Sequence, residues 1–279
     1  MSASPSLVPS ALTTVAAFVR RDFLVSWSYK LAFFSDWFGL VVQMVTFYFL
    51  GKLIPSNGIP QYGHGTTSYV EFVSIGVALT SFMYVAMSQV LRALRTEQVM
   101  GTLEVLMISP ASPSVIQLGS TVYQAVYVPV RTTVFLAAVA VLFDARFAVD
   151  GAPLALVVLL AFMPFVWGLG LIGAASALTV RKGGSAASIG VTAMTLFSGA
   201  YFPASLMPGW LQATVPYNPI SLAVDAIRQA LLGGSLAWSE VFLTTAKLLP
   251  MAAVTLFAGV MFFRFALARE TRRGTLGFY

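Results

Sequence analysis

The chain has 279 residues, of which 58% are hydrophobic and only 9% are charged, and its formal net charge is +6. Soluble globular domains carry about 25% charged residues, so this composition excludes a soluble domain and predicts an integral membrane protein. The chain has no cysteine, which excludes disulfides and thiolate metal sites. It has one histidine, so few side chains are suited to hydrolytic catalysis or metal binding.

The first predicted element is an amphipathic helix over about 9–29. Its apolar residues recur at spacings of three and four, and its charges stand together at Arg20, Arg21 and Asp22. This pattern predicts a helix lying in the inner membrane interface, with the basic residues toward anionic headgroups. The alternative is a polar lead-in to the first membrane span.

Six later stretches are long and apolar enough to cross a bilayer as helices, which requires roughly 20 mainly apolar residues. They are apolar on all sides, whereas the strands of a β-barrel alternate polar and apolar residues. The sequence therefore predicts an all-α membrane protein with a single transmembrane domain over 1–279. The predicted spans cover approximately 31–54, 69–91, 115–142, 153–179, 185–206 and 241–263.

The basic residues orient these spans, because cytoplasmic segments carry an excess of Lys and Arg. With both termini inside, eleven of the sixteen basic residues lie on the cytoplasmic side and four lie outside or at the outer edge, while Arg131 falls within the third span. We therefore expect a multi-pass protein of the cytoplasmic membrane. The basic residues flank apolar runs and form no stripe with aromatics, which argues against a nucleic-acid partner.

The segment between the second and third spans, about 95–109, is unusually charged for this chain. Glu97, Gly101 and Glu104 are spaced at i, i+4 and i+7, which places them on one helical face, and Ser109-Pro110 ends the helix. The spacing predicts a short amphipathic helix on the cytoplasmic side, joined to two spans. The alternative is a solvated loop with two acidic residues.

The region after the fifth span, 201–234, contains four prolines that break any continuous helix, yet it remains apolar. We expect two short helices that dip into the outer leaflet, at about 207–214 and 219–232. In the second, Asp225 and Arg228 are three residues apart and can pair. The alternative is an ordinary outer loop with an interfacial helix.

Aromatic residues within the predicted spans are candidates for lining a pathway through the membrane. Arg131, two residues after Pro129, either lines a polar pathway or anchors helix packing. The aromatic candidates are Phe47, Tyr48, Phe82, Tyr84, Phe197 and Tyr201.

Two runs of residues in this sequence resemble those of ABC-2 type transporter permeases, in particular the drug-resistance branch. The first is Glu97-x-x-x-Gly101-Thr102-Leu103-Glu104-x-Leu106-x-x-Ser109-Pro110, between the second and third spans. The second, before the last span, is Ser198-Gly199-Ala200-Tyr201-Phe202-Pro203, then Pro208-Gly209-Trp210-Leu211, then Asn218-Pro219, and it closes with Asp225-Ala226-Ile227-Arg228.

The resemblance implies a permease subunit without enzymatic activity of its own, in an exporter with two permeases and two cytosolic ATPases that bind ATP and Mg²⁺. The segment 95–109 would be the coupling helix, the N-terminal helix a second ATPase contact, and the outer helices a cap on the pathway. The expected substrate is a lipophilic drug-like or lipid compound. The alternative substrate is a lipid-linked polysaccharide or glycolipid.

An ATP site of the phosphate-loop type requires G-x-x-x-x-G-K-[ST]. Of the four lysines only Lys52 follows a glycine, and Leu53 stands where Ser or Thr is required. An ATP-driven process would therefore need a partner. An ion-coupled secondary transporter is a weaker alternative because no carboxylate falls near mid-span, and an embedded enzyme is weaker still because no cluster of acids or histidines is present.

Overall fold

The computed structural model describes residues 30–53, 59–62, 67–99, 113–179, 183–233 and 238–273, together with the single positions 20, 24 and 28. The predicted all-α fold is confirmed, since these ranges contain eight α-helices and no strand. The helices are α1 Lys30–Gly51, α2 Tyr69–Val99, α3 Pro113–Phe143, α4 Ala152–Thr179, α5 Gly183–Leu196, α6 Gly209–Gln212, α7 Pro219–Leu232 and α8 Trp238–Arg273. Short 3₁₀ turns cover Val149–Gly151, Ala204–Leu206 and Val215–Tyr217.

Three stretches of the described chain are long and apolar enough to cross a membrane. They are Tyr69–Ser88 in α2, Val149–Thr179 around α4 and Val241–Arg269 in α8. Shorter apolar helices, Phe38–Gly51 and Tyr127–Phe143, lie in α1 and α3. These helices make the chain a multi-pass membrane protein.

The fifth predicted span, 185–206, extends too far. Helix α5 ends at Leu196 and has 14 residues, about 21 Å, which is less than the roughly 30 Å of a hydrocarbon core. The chain turns at Gly199, whose φ of 75° is backbone that glycine adopts without steric cost. Hydropathy predicted a longer helix because the residues beyond Leu196 stay apolar through this turn.

The two helices predicted for the outer leaflet differ in length. The first, predicted over 207–214, is reduced to the single turn of α6, because Pro208 precedes it and a 3₁₀ turn follows at Val215–Tyr217. The second, predicted over 219–232, is α7 at Pro219–Leu232.

The core lies where α2, α4 and α7 meet. Phe82, Phe162 and Val224, one from each helix, are fully buried there, and the rings of Phe82 and Phe162 are 6.4 Å apart. A second cluster joins α1, α2 and α3 around Met44, Phe72 and Phe135. Since lipid tails are as apolar as these side chains, close packing stabilises the arrangement more than removal from water does.

Helices α4 and α8 cross with their backbones in close contact. A Cβ placed on Gly168 would lie 2.5 Å from the Thr255 carbonyl, and one on Gly259 would lie 2.5 Å from the Gly168 carbonyl oxygen. Glycine on both helices therefore lets the two backbones touch.

Candidate functional site

The strongest polar feature of the described chain is a buried arginine in α7. Arg228 is 1% exposed, and its guanidinium donates four hydrogen bonds to backbone carbonyls. Nε and Nη2 donate to Phe72 O at 3.1 and 3.0 Å, Nη1 donates to Gly199 O at 3.1 Å, and Nη2 donates to Ala200 O at 2.8 Å. One side chain thus joins α7 to the start of α2 and to the turn after α5. We call these contacts the Arg228 clamp.

Carbonyl oxygens and an aromatic ring, more than a carboxylate, balance the Arg228 charge. Cζ lies 3.4 Å from the centroid of the Phe72 ring, a cation–π distance. The predicted pair with Asp225 exists, but its atoms are 3.6 Å apart and the Asp225 side chain is 46% exposed. Burial lowers the pKa of Arg228 from its ordinary value, and interactions with Tyr62 and Asp225 oppose the shift. The planar guanidinium suits this role because it presents donors in several directions.

The sequence around Asn218 explains why α7 presents Arg228 inward. The Asn218 side chain accepts a hydrogen bond from Ile220 N at 3.0 Å and so caps the helix, with Pro219 at its first position. Asn218 Nδ2 also donates to Met194 O at 2.8 Å, which fixes the start of α7 against the end of α5. The buried face carries Ala223 and Ala226, whose small side chains let α7 approach its neighbours.

Helix α2 begins with a capping box. Ser68 N donates to Glu71 Oε2 at 2.8 Å, and Glu71 N donates to Ser68 Oγ at 3.2 Å. The other carboxylate oxygen of Glu71 accepts from Arg146 N at 2.9 Å, in the connection between α3 and α4. The start of α2, which carries the Phe72 carbonyl, is therefore fixed from two sides.

The turn after α5 packs tightly on α2. A Cβ on Gly76 would collide with the carbonyl oxygen of Ala200, so this approach requires glycine. Tyr201 then donates to Thr80 Oγ1 at 3.2 Å, and its own carbonyl accepts from the Tyr69 hydroxyl at 2.9 Å. These contacts place the carbonyls of Gly199 and Ala200 where Arg228 reaches them.

The predicted pathway aromatics do not form one surface. Phe47 and Tyr201 meet as stacked rings 5.4 Å apart. Tyr48 lies under the Lys52 ammonium at 4.8 Å, and Tyr84 hydrogen-bonds Thr192 at 2.9 Å. Phe82 is fully buried in the core, so in this conformation a substrate cannot reach it.

The structure gives the positions of two further pathway candidates, but it assigns neither of them a role in a pathway. Phe197 is partly buried in the turn after α5. Arg131 is 5% exposed within α3, two residues after Pro129.

The other predicted outer residues lie around α6. Pro203 precedes the turn Ala204–Leu206, Pro208 precedes α6, and Trp210 is 71% exposed. Tryptophan is enriched at membrane interfaces, so its exposed ring suits an interface anchor.

The predicted coupling segment is only partly covered. Its first five residues, 95–99, belong to α2, so no separate helix begins at 95, and Glu97 lies in the last turns of α2. The remaining candidates lie outside the described residues: Gly101, Thr102, Leu103, Glu104, Leu106, Ser109 and Pro110. In the predicted interfacial helix Arg20 is helical and exposed, and Arg21 and Asp22 lie outside the described residues.

Sequence reasoning missed the main partners of Arg228. Phe72 O, Gly199 O and Ala200 O are backbone atoms, so no residue type marks them. Gly76 and Gly199 were the available signals, because glycine within an apolar run often marks a close backbone approach or a turn. Within the ranges that the structure covers, no group of three His, Asp or Glu side chains is placed to hold a metal ion.

Comparison with known proteins gives a family match over most of the chain. No curated protein matches it. Residues 13–232 match the family described as ABC-2 type transporter, a range that includes the Arg228 clamp. The chain therefore belongs to the ABC-2 type transporter family and is a membrane-embedded permease subunit of an ABC transporter.

Proposed function

We propose that this permease is the membrane part of an ATP-driven exporter that moves lipophilic drug-like or lipid compounds out across the cytoplasmic membrane. The observation that carries the proposal is the continuity of α2, which runs unbroken from the Arg228 clamp into the segment predicted to bind an ATPase. ATP and Mg²⁺ belong to that separate subunit.

The length of α2 supports a coupling role. Its 31 residues extend about 46 Å, whereas its apolar part, Tyr69–Ser88, has 20 residues and crosses about 30 Å. The last eleven residues, 89–99, therefore reach about 16 Å beyond the apolar part, and they contain Arg92, Arg95 and Glu97. A helix that leaves the membrane without a break can carry a displacement from a cytosolic partner into the bilayer.

The opposite end of α2 is held by the clamp. Phe72 and Glu97 are 25 residues apart, or about 37 Å along the helix axis. We infer that ATPase movement at 95–109 shifts α2 as a rigid body and changes its contacts with Arg228 and Ala200. The outer connection between α5 and α8 would then open or close the pathway.

The substrate assignment rests on the apolar character of the accessible aromatics. Phe47 and Tyr201 stack within the cluster that joins α1, α2 and α3, among apolar neighbours. This stacked pair suits a lipophilic compound better than a sugar chain, which requires many hydrogen-bonding groups. A second copy of the chain completes the transporter in the arrangement that the family implies.

Reconstitution tests this function. The chain and an ABC ATPase that co-purifies with it are placed together in vesicles, and ATPase rates are compared with added lipophilic drugs and with added lipid-linked glycans. We expect stimulation by the drugs alone. Vesicles with the ATPase alone are the control.

The other outcomes separate the alternatives. Stimulation by the glycans alone would assign the polysaccharide function. Transport driven by a proton gradient without ATP would refute ATP coupling.

A further inference from the structure

We propose that an open groove between α4 and α8 binds one anionic glycerophospholipid. The groove has a volume of about 550 Å³, within the roughly 300–1,000 Å³ of ligand pockets. Its walls are apolar side chains from both helices: Ile172, Ala258, Met261, Phe262 and Phe265. Such a wall suits an acyl chain.

The groove lies beside the close crossing of the two helices. Gly168 and Gly259 bring the backbones together, and Ile172 follows Gly168 by one turn. The outward side of the groove is open, with Met261 53% and Phe265 64% exposed. In a membrane protein these exposed side chains face the lipid phase, so a lipid reaches the groove directly.

The same face of α8 continues into basic residues. Steps of four, three, four and three residues lead from Ala258 through Phe262 and Phe265 to Arg269 and Arg272, and such spacings share one helical face. Arg269 and Arg272 are exposed, about 6 Å and 10 Å along the axis beyond Phe265. An apolar cradle followed by two guanidiniums matches an acyl chain with an anionic headgroup.

Arg264 provides an internal comparison. It is exposed on the same helix and next to Phe265, but one residue corresponds to about 100° around the axis, so it lies off the line from Ala258 to Arg272, beyond the Met261 edge of the groove. The proposal therefore distinguishes Arg269 and Arg272 from a basic residue of equal charge on the same helix.

Native mass spectrometry of the purified full chain tests this assignment. Binding of palmitoyl-oleoyl phosphatidylglycerol is compared with binding of phosphatidylcholine that has the same chains. We expect the anionic lipid to bind more tightly. The double variant Arg269→Gln/Arg272→Gln should weaken its binding about thirtyfold, or about fivefold per arginine, while Arg264→Gln should change it less than about twofold.

Ala258→Trp fills the groove and should reduce the binding of both lipids. Equal affinity for the two lipids, or an equal loss in Arg264→Gln, would overturn the proposal. Loss in Ala258→Trp without loss in the double variant would show that the groove accepts any apolar molecule, which also overturns it. Thermal unfolding checks that each variant is folded, and the single variant Arg272→Gln replaces the double variant if that one is not.

Discussion

At the scale of single residues, Arg228 shows how a charge is stabilised deep in an apolar chain. Its four hydrogen bonds go to backbone carbonyls of two other segments, and its ionic partner Asp225 lies farther away and half in solvent. A buried guanidinium is costly unless its donors are satisfied. The arginine therefore holds three segments together, and the pairing that sequence spacing suggested is the weaker of its contacts.

Replacing Arg228 with lysine tests this conclusion. A lysine ammonium cannot reach the Phe72, Gly199 and Ala200 carbonyls together, so we expect Arg228→Lys to destabilise the protein by about 2–3 kcal/mol. Thermal unfolding in detergent measures the loss. Asp225→Asn should cost less than about 1 kcal/mol, because that carboxylate is half-exposed.

Arg146→Lys is the matched control, since the Arg146 side chain is exposed and only its backbone N–H binds Glu71. An Arg228→Lys protein as stable as this control would contradict the clamp.

At the scale of elements, glycine determines how closely segments pack. Gly76 in α2 leaves room for the Ala200 carbonyl, and Gly168 and Gly259 do the same between α4 and α8. Hydropathy does not distinguish these glycines from ordinary helix residues. Their importance follows from the backbone carbonyl groups of neighbouring segments that lie against them.

Gly76→Ala should destabilise the protein, although alanine is the better helix former. The added methyl would collide with the Ala200 carbonyl oxygen, and overpacking of this kind costs about 1–3 kcal/mol. Gly190→Ala in α5 is the matched control: nothing lies within 4 Å of its Cβ position, and we expect it to be neutral or slightly stabilising. Equal unfolding temperatures for the two variants would show that α2 and the turn are not in close contact.

At the scale of the whole molecule, α2 links the two ends of the permease. Its start is held by Arg228 and Glu71, and its end at Val99 enters the charged segment. The proposed coupling therefore depends on the stiffness of one helix, and breaking that helix should separate ATP hydrolysis from transport.

Ala93→Pro tests the continuity of α2. Proline removes one helical hydrogen bond and kinks the helix, so we expect the ATPase still to bind while transport per ATP hydrolysed falls. Paired measurements of ATPase rate and substrate efflux in vesicles give that ratio, with Ala93→Ser as the control. An unchanged ratio in Ala93→Pro would refute the mechanical role of α2.

Glu104→Lys tests the proposed ATPase-binding site. Charge reversal at a docking surface opposes association, so we expect weaker co-purification with the ATPase and unchanged membrane insertion. Asp150→Lys reverses an exposed charge in the Val149–Gly151 turn before α4 and should leave co-purification intact. Retention of the ATPase by Glu104→Lys would remove the coupling segment from the proposal.

The sequence alone determined the helical membrane class, because apolar composition and run length are local properties of the chain. It also predicted a helix over 219–232, and its runs around Glu104 and Arg228 indicated the family. Tertiary structure decided where α5 ends, because one glycine turns an apolar run that hydropathy reads as continuous. It also decided the partners of Arg228, because Phe72 is 156 residues away and offers only a backbone carbonyl, which carries no mark in sequence.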